Sequence, residues 1–103
     1  MSEQYAARIT RYQGSIMVAI CDLDLVGTKV EQDGLVVDIT REYYQEEVVE
    51  QPRVQEYLHK CDIANLVGER IVKQALDLKM AKEASIKRIA GVPFLMIYKF
   101  QHR

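Results

Sequence analysis

Six consecutive apolar residues, from Ile16 to Cys21, constrain the fold of this chain more than any other segment. The run reads Ile-Met-Val-Ala-Ile-Cys without a polar interruption. A short run of this kind, bounded by turn residues, is typical of a strand that is covered on both faces. A Gln-Gly turn at 13–14 separates it from a strand-like segment at residues 5–12, so the two segments predict a β-hairpin. A sheet with a buried central strand is therefore expected.

The next segments predict a smaller hairpin. Residues 22–27 are predicted to form a one-turn connection, because aspartates there can bond backbone amides and the final glycine tolerates a positive φ. Asp-Gly at 33–34 is the strongest turn signal in the chain, and it joins a short edge strand at 28–31 to a strand at 35–39. The acidic stretch after Thr40 is predicted to be a loop with one irregular turn.

Two helices are predicted in the middle of the chain. Pro52 suits the first position of a helix that runs to about Lys60. Its inward-facing residues are expected to be Val54, Tyr57, Leu58 and Cys61. A longer helix is predicted over residues 62–78, where apolar residues recur at steps of three or four. These residues form one stripe: Ala64, Val67, Ile71, Ala75 and Leu78.

Gly68 interrupts the second predicted helix. A glycine inside a helix costs about 1 kcal/mol relative to alanine, so it usually indicates close approach by another backbone or by a ligand. Two interpretations follow. Either the helix is pressed tightly against the sheet, or Asn65, Glu69 and Arg70 stand beside a groove as polar groups that bind a ligand. In the second case Arg70 could hold an anion through two parallel hydrogen bonds.

A structural role for the same polar residues makes a different prediction. Asn65, Glu69 and Arg70 would then hydrogen-bond the connections around Gly27 and Gly91 and fix the helix to the sheet, because buried polar groups need such partners. On this interpretation Glu69→Ala is expected to cost about 1–3 kcal/mol of stability.

The last quarter of the chain predicts one short turn at 83–85 and two strands, at 86–89 and 92–100. Pro93 suits a strand start, a bulge or an edge because it cannot donate to a ladder. The preceding glycine is explained by turn chemistry or by close backbone approach. Both faces of the final strand are apolar. It therefore lies either centrally, beside the Ile16–Cys21 strand, or at the interface of a homodimer.

The order of these elements predicts an α+β fold, a mainly antiparallel sheet of about five strands with two helices packed on one face. The 103 residues suit a single domain, 1–103, and the chain is 49% apolar and 28% charged, as soluble globular proteins are. Neither an apolar run of membrane-spanning length nor a secretory signal is visible, so a cytoplasmic protein without membrane contact is expected.

Charge is distributed unevenly along the chain, although its net value is −1. Residues 22–56 are strongly acidic, whereas residues 79–103 contain one acid, Glu83, and six bases. Clustered bases can contact phosphates, and Tyr98 lies among them in sequence as a ring on which a base could stack. The nucleic-acid candidates are Lys79, Lys82, Lys87, Arg88, Lys99 and Arg103.

Catalytic, metal and cofactor signatures are weak. His59 and Cys61 are two residues apart, and helical residues with that spacing do not face each other. The sequence contains no P-loop, GxGxxG or HExxH pattern and no Cys/His cluster. We predict no catalytic residues, no metal and no cofactor, and we favour a binding protein over an enzyme.

Three segments resemble an archaeal family, domain of unknown function 424: 19–28, the central motif Ala64–Arg70, and 89–93. The resemblance covers nearly the whole chain and implies a small cytoplasmic single-domain protein. It marks six positions: Asn65, Gly68, Glu69, Arg70, Gly91 and Pro93. Many members continue the Gly-Val-Pro motif with His-Ala-Gln, whereas this chain has Phe94-Leu95-Met96, a departure that weighs against catalysis.

Two hypotheses about function result. The first is a non-catalytic accessory protein that uses its basic C-terminal third on RNA or ribosomal components; the family resemblance, with genes near those of translation, implies the link to translation. The alternative is an enzyme or small-ligand protein with a pocket between Gly68 and Gly91, lined by Asn65, Glu69 and Arg70.

Overall fold

Residues 3–99 are described by a computed structural model, and they form eight strands and three helices. The strands are β1 (Gln4–Tyr12), β2 (Ser15–Asp22), β3 (Lys29–Gln32), β4 (Leu35–Asp38), β5 (Glu47–Glu50), β6 (Ile63–Val67), β7 (Lys87–Ile89) and β8 (Val92–Tyr98). The helices are α1 (Arg41–Tyr44), α2 (Gln51–Lys60) and α3 (Glu69–Asp77), and single 3-10 turns occur at Leu23–Leu25 and Glu83–Ser85.

Six strands form the main sheet, in the order β5-β1-β2-β6-β8-β7, and β3 and β4 form a separate hairpin. All neighbours in the main sheet are antiparallel except β2 and β6, which run parallel with Met17 opposite Ile63 and Cys21 opposite Val67. The α+β class and the mainly antiparallel sheet are thereby confirmed, but the main sheet has one strand more than expected and α1 is a third helix that was not predicted. The Ile16–Cys21 segment lies within β2, a central strand, as its composition predicts.

The two longer helices pack on one face of this sheet, which we call the helix face. Their buried residues join those of the central strands in the larger core. Its largest fully buried side chains are Tyr5, Val18, Ile20, Val54, Leu58, Leu66, Ile71 and Leu95. Pro52 stands in the first turn of α2, where its missing N–H costs nothing.

The opposite face is covered only in part. α1, the β3–β4 hairpin and the turn after β2 shield a smaller core that includes Cys21, Ile39, Tyr44 and Val67. α1 is short, but Thr40 caps it by accepting a hydrogen bond from Tyr43 N to its Oγ1 at 3.2 Å. Beyond this cover lie β-strand residues that reach solvent, so we call this side the open face.

The helix predicted over residues 62–78 is wrong in its first part. Ile63–Val67 is strand β6, and helix α3 begins only at Glu69. Over five residues, alternating and helical spacing select nearly the same apolar positions, so the pattern alone could not separate them. The neighbouring strands determine that this segment is extended, because β6 hydrogen-bonds to β2 on one side and to β8 on the other.

Two strand placements also differ from expectation. Glu47–Glu50, predicted as part of a loop, is the edge strand β5, which pairs with Gln4–Ala7 of β1. The final strand is not beside β2, because β6 separates them. Strand β6 pairs with residues 94–98 along one edge of β8, whereas β7 pairs only with residues 92–94 along the other. A homodimer through this strand or its outer face remains a prediction.

No helix among residues 3–99 is both long enough and apolar enough to cross a bilayer.

Candidate functional site

The N-terminus of α3 is held by a carboxylate from another element. Asp22 ends β2, and its two carboxylate oxygens accept hydrogen bonds from Arg70 N and Ile71 N, each at 2.9 Å. The side chain is buried, with 3% of Asp22 exposed. Burial raises the pKa of Asp22 above its ordinary value of 3.8, against the opposing effect of the two amides. Asp22 thereby caps the helix as a residue at the N-cap itself usually does.

Gly68 is required because this carboxylate lies against it. Its φ of +120° is a conformation that side chains disfavour. A Cβ added there would lie 2.4 Å from Asp22 Cγ and 2.5 Å from Oδ2. Gly68 N also donates to Pro93 O at 3.0 Å, which joins this corner to β8. The central family glycine thus permits three elements to meet, in agreement with the close-approach interpretation and not with a mid-helix position.

The Arg70 side chain is engaged in holding the beginning of the chain. Its guanidinium lies 3.4 Å from carboxylate oxygens of both Glu3 and Asp24. It also packs over the Tyr5 ring at 5.7 Å and donates to Gln4 O at 3.4 Å. Two carboxylates therefore already accompany the guanidinium, although its buried Nε has no hydrogen-bond partner among the described residues. The arrangement favours a structural role for Arg70.

Glu69 and Gly91 are connected through Arg88. Arg88 Nη1 lies 3.0 Å from Glu69 Oε2 and 3.5 Å from Gly91 O. Both side chains are well exposed, 68% for Glu69 and 48% for Arg88. Glu69 and Gly91, with Asp22, Arg70, Pro93 and their neighbours, line a shallow depression of about 210 Å³. Two amides at the start of α3, Arg70 N and Ile71 N, are already bonded to Asp22.

Glu69→Ala is therefore expected to cost less than the 1–3 kcal/mol inferred from the sequence. An exposed ion pair contributes about 0–1 kcal/mol, and the exposed carboxylate adds a similarly small dipole effect at the helix N-terminus. Urea unfolding of the variant should give a loss below about 1 kcal/mol. A loss above about 2 kcal/mol would show that Glu69 has a buried partner in solution.

Asn65 points away from this corner, to the open face. Its Nδ2 donates to Tyr43 Oη at 3.0 Å, and Tyr43 stands edge-on to Tyr44 with ring centroids 4.7 Å apart. Tyr44 is buried, so it anchors the short helix that carries Tyr43. Asn65 is thus separated by the sheet from Glu69 and Arg70, the two residues with which the sequence grouped it.

A cleft of about 360 Å³ opens beside Asn65, and we call it the open-face cleft. Two cross-strand pairs form its floor, since Lys87 stands opposite Phe94 and Asn65 stands opposite Met96. The β3–β4 hairpin forms one wall. This wall is fixed at its tip, because Gln32 Oε1 accepts a hydrogen bond from Ala90 N at 2.6 Å. The full lining is Val37, Asn65, Ser85, Lys87, Ile89, Phe94, Leu95 and Met96.

Exposed apolar and aromatic groups surround this cleft. Met96 is 47% exposed and Tyr43 is 39% exposed, and Tyr98, whose hydroxyl contacts Met96 Sδ, extends the same row. Lys87 has no ion-pair partner among residues 3–99. An aromatic ring, a thioether, an amide and a free ammonium group therefore share one concave surface.

The basic residues of the C-terminal third do not share one face. Lys87 lies on the open face, whereas Arg88, the next residue, points to the helix face and pairs with Glu69. Lys99 donates to the carbonyls of Leu58 and His59 at the end of α2, where a cation also suits the helix dipole. Lys79 and Lys82 are exposed in the segment after α3. Arg103 lies outside the described residues.

The potential metal ligands of residues 3–99 are dispersed, and the two thiols are buried. No group of three or more His, Cys, Asp or Glu side chains there could hold a metal ion. Cys21 and Cys61 are buried free thiols, and burial raises the pKa of Cys21 to about 12. A thiol with so high a pKa is a poor nucleophile at neutral pH.

Asp22 and the open-face cleft are the features that the sequence alone did not identify. An aspartate directly after a buried strand is a usable signal, but by itself it indicates only a local turn. For Phe94 and Met96 no signal was available, because their alternation in an apolar strand is equally typical of a core strand.

Fold and site together define a small α+β domain with one helix-covered face and one half-open face. The chain belongs to the family described as Protein of unknown function (DUF424), whose model matches residues 10–100. A crystal structure of an uncharacterized conserved protein from Methanopyrus kandleri has a similar fold, with a TM-score of 0.78 and 22% sequence identity over 97% of this chain and 96% of that one. At this identity the likeness concerns the fold alone. No curated protein matches the chain.

Proposed function

We propose that this protein binds single-stranded RNA through the open-face cleft. One observation carries the proposal: Lys87 and Phe94 are directly paired across β7 and β8, and Asn65 and Met96 are paired across the adjoining strands. A stacking surface, a hydrogen-bonding amide and a cation thus lie within reach of one nucleotide.

The chemistry of the cleft suits an unpaired base. Sequence-specific RNA recognition by proteins mostly uses splayed bases that stack on aromatic side chains and hydrogen-bond to amides along their edges. Phe94 and Met96 offer the apolar surface, and Asn65 offers the amide. Lys87, at the rim, would contact the phosphate that follows the base.

The alternative, a ligand pocket made by Asn65, Glu69 and Arg70, has weaker support, because only Glu69 and Arg70 line the depression beside Gly91. Asn65 lies on the open face, and Arg70 is surrounded by Glu3 and Asp24. Two of the α3 amides that could attract an anion, Arg70 N and Ile71 N, are bonded to Asp22. We therefore do not propose an enzyme or an anion-binding protein.

RNA of the translation machinery is the first ligand to test, since the family resemblance implies such a context. Single-stranded segments of ribosomal RNA contain unpaired bases next to closely spaced phosphates, the combination that the cleft fits. The accessory role in translation is part of this proposal.

Lys87→Ala is expected to weaken RNA binding and to flatten its salt dependence. A fluorescein-labelled single-stranded 12-mer titrated by anisotropy between 20 and 200 mM salt measures both. Each lysine–phosphate contact on a single strand contributes about 0.7 to the slope of log K against log salt, so the slope should fall by about that amount.

Lys73→Ala is the matched control. Lys73 lies on α3 at the helix face, and its side chain is well exposed. Among described residues it pairs only with Asp77. Its removal changes the net charge equally but leaves the cleft intact. Equal loss of affinity in the two variants, or no binding of the wild-type protein at 20 mM salt, would contradict the proposal.

A further inference from the structure

The outer edge of β1 is only partly covered. β5 pairs with β1 along Gln4–Ala7, so residues 8–12 have no strand on that side among residues 3–99. Ala7 O accepts from Glu46 N at 3.0 Å, and Ile9 N lies 3.5 Å from a Glu46 carboxylate oxygen. Backbone groups of alternate residues point to the same side of a strand. The C=O of Ile9 and both backbone groups of Arg11 therefore face outward, beyond Glu46.

The same two residues line a groove on the helix face, between α2 and the end of the β1–β2 hairpin. The groove has a volume of about 120 Å³ and an apolar floor of Ile9, Ile16 and Val18. Three cations, Arg11, Arg53 and Lys60, line its rim together with Tyr57 and one acid, Glu56. Glu56 is paired with Arg53 at 3.5 Å, and Arg53 also lies over the Tyr57 ring. Arg11 and Lys60 have no ion-pair partner within the described part of the chain.

We infer that this edge and groove bind an extended acidic segment of another protein, which adds a strand to β1. The outward backbone groups of Ile9 and Arg11 would continue the ladder, as in other cases of strand addition. One apolar side chain of the segment would enter the groove, and its acidic neighbours would meet Arg11, Lys60 and Arg53. Glu46 shows that a carboxylate can approach this edge, since one of its oxygens lies 3.5 Å from Ile9 N.

The charges at this edge favour an acidic protein segment over a second copy of the chain. A second copy paired symmetrically about Arg11, the centre of the open edge, would bring Arg11 against Arg11, and like charges facing each other oppose pairing. RNA would satisfy the cations but not the alternating backbone donors and acceptors of a strand edge. This surface is separate from the open-face cleft, so the inference does not depend on the proposed function.

The test uses a synthetic peptide, Glu-Asp-Glu-Leu-Glu-Asp-Glu, capped at its C-terminus and labelled with fluorescein at its N-terminus. Anisotropy should show binding to the wild-type protein, with no binding of a peptide in which lysines replace the acids. Arg53→Ala combined with Lys60→Ala should weaken binding at least about five-fold, because two ion pairs at the rim are lost. Lys29→Ala combined with Lys73→Ala, which removes the same charge elsewhere, should leave the affinity unchanged.

Amide hydrogen exchange separates strand addition from simple charge attraction. At saturating unlabelled peptide, the Arg11 amide of the wild-type protein should exchange at least about ten-fold more slowly, as expected when an exposed donor joins a ladder. Unchanged exchange at Arg11, equal binding of the basic peptide, or displacement of the peptide by the RNA 12-mer would overturn the inference. Failure here leaves the Lys87 titration unaffected, because that site lies on the other face.

Discussion

Gly68→Ala is expected to lower the free energy of unfolding by about 3–4 kcal/mol. A residue with a side chain at φ +120° is strained by roughly 1–3 kcal/mol. In addition, the new Cβ would lie 2.4 Å from Asp22 Cγ, so the carboxylate would have to move and release the Arg70 and Ile71 amides. Strain and a lost cap together place this substitution among the severe ones.

Gly91→Ala is the matched control for this substitution. Gly91 also has a positive φ, +82°, but nothing lies within 4 Å of a Cβ added there. It should cost only about 1–2 kcal/mol of conformational strain. Urea unfolding of both variants measures the difference. If Gly68→Ala and Gly91→Ala lowered the free energy of unfolding equally, the contact with Asp22 would contribute nothing to the cost of Gly68→Ala.

Asp22→Ala is expected to cost about 2–3 kcal/mol. The substitution removes the acceptor of two helix amides, and the loss of a cap typically costs about 0.5–2 kcal/mol, with more when the donors are left buried. Asp24→Ala is the control, because Asp24 is exposed and bonds only the Arg70 side chain among described residues. Its loss should stay below about 1 kcal/mol.

A double-mutant cycle measures the energetic coupling between Asp22 and Gly68. In the Asp22→Ala background the two closest atoms that oppose a Cβ at position 68 are absent. Gly68→Ala should then cost at least about 1 kcal/mol less than it does in the wild-type protein, as expected for residues in direct contact. Additive losses would contradict the packing described for this corner.

The pH dependence of stability provides a further test of Asp22. Because burial raises its pKa in the folded state, the folded protein binds more protons than the unfolded chain between 3.8 and the folded pKa. The stabilising contribution is fully present below 3.8 and is lost as pH rises through the folded pKa. The stability advantage of wild type over Asp22→Asn should therefore grow as pH falls from 7 toward 4. A shrinking advantage would show that the helix amides outweigh burial.

The local turns of this fold could be predicted from the sequence because their chemistry is local. Asp33-Gly34 forms the β3–β4 turn, and Pro52 opens α2, as their backbone preferences dictate. Strand β6 could not be distinguished from a helix in the same way. Its identity depends on β2 and β8, the strands that bond to it on both sides.

At the candidate site, too, local features could be predicted from the sequence, whereas contacts between residues distant in sequence could not. The sequence marked Gly68 as a place of close approach, which is correct, but it could not name Asp22 as the group that approaches. It grouped Asn65 with Glu69 and Arg70 by helical spacing, and the strand that actually carries Asn65 turns it to the opposite face. The pairing of Lys87 with Phe94 follows from strand register, which depends on contacts distant in sequence.

A titration of the ¹⁵N-labelled protein with the single-stranded RNA 12-mer, followed by amide chemical shifts, tests the proposed RNA binding most directly. If RNA binds at the open-face cleft, the largest shifts fall on the strands that form it, at residues 63–67, 87–89 and 92–96, and Lys87→Ala removes most of them. Shifts confined to the helix face, around α2 and the segment after α3, would contradict it, as would the absence of any shift at low salt.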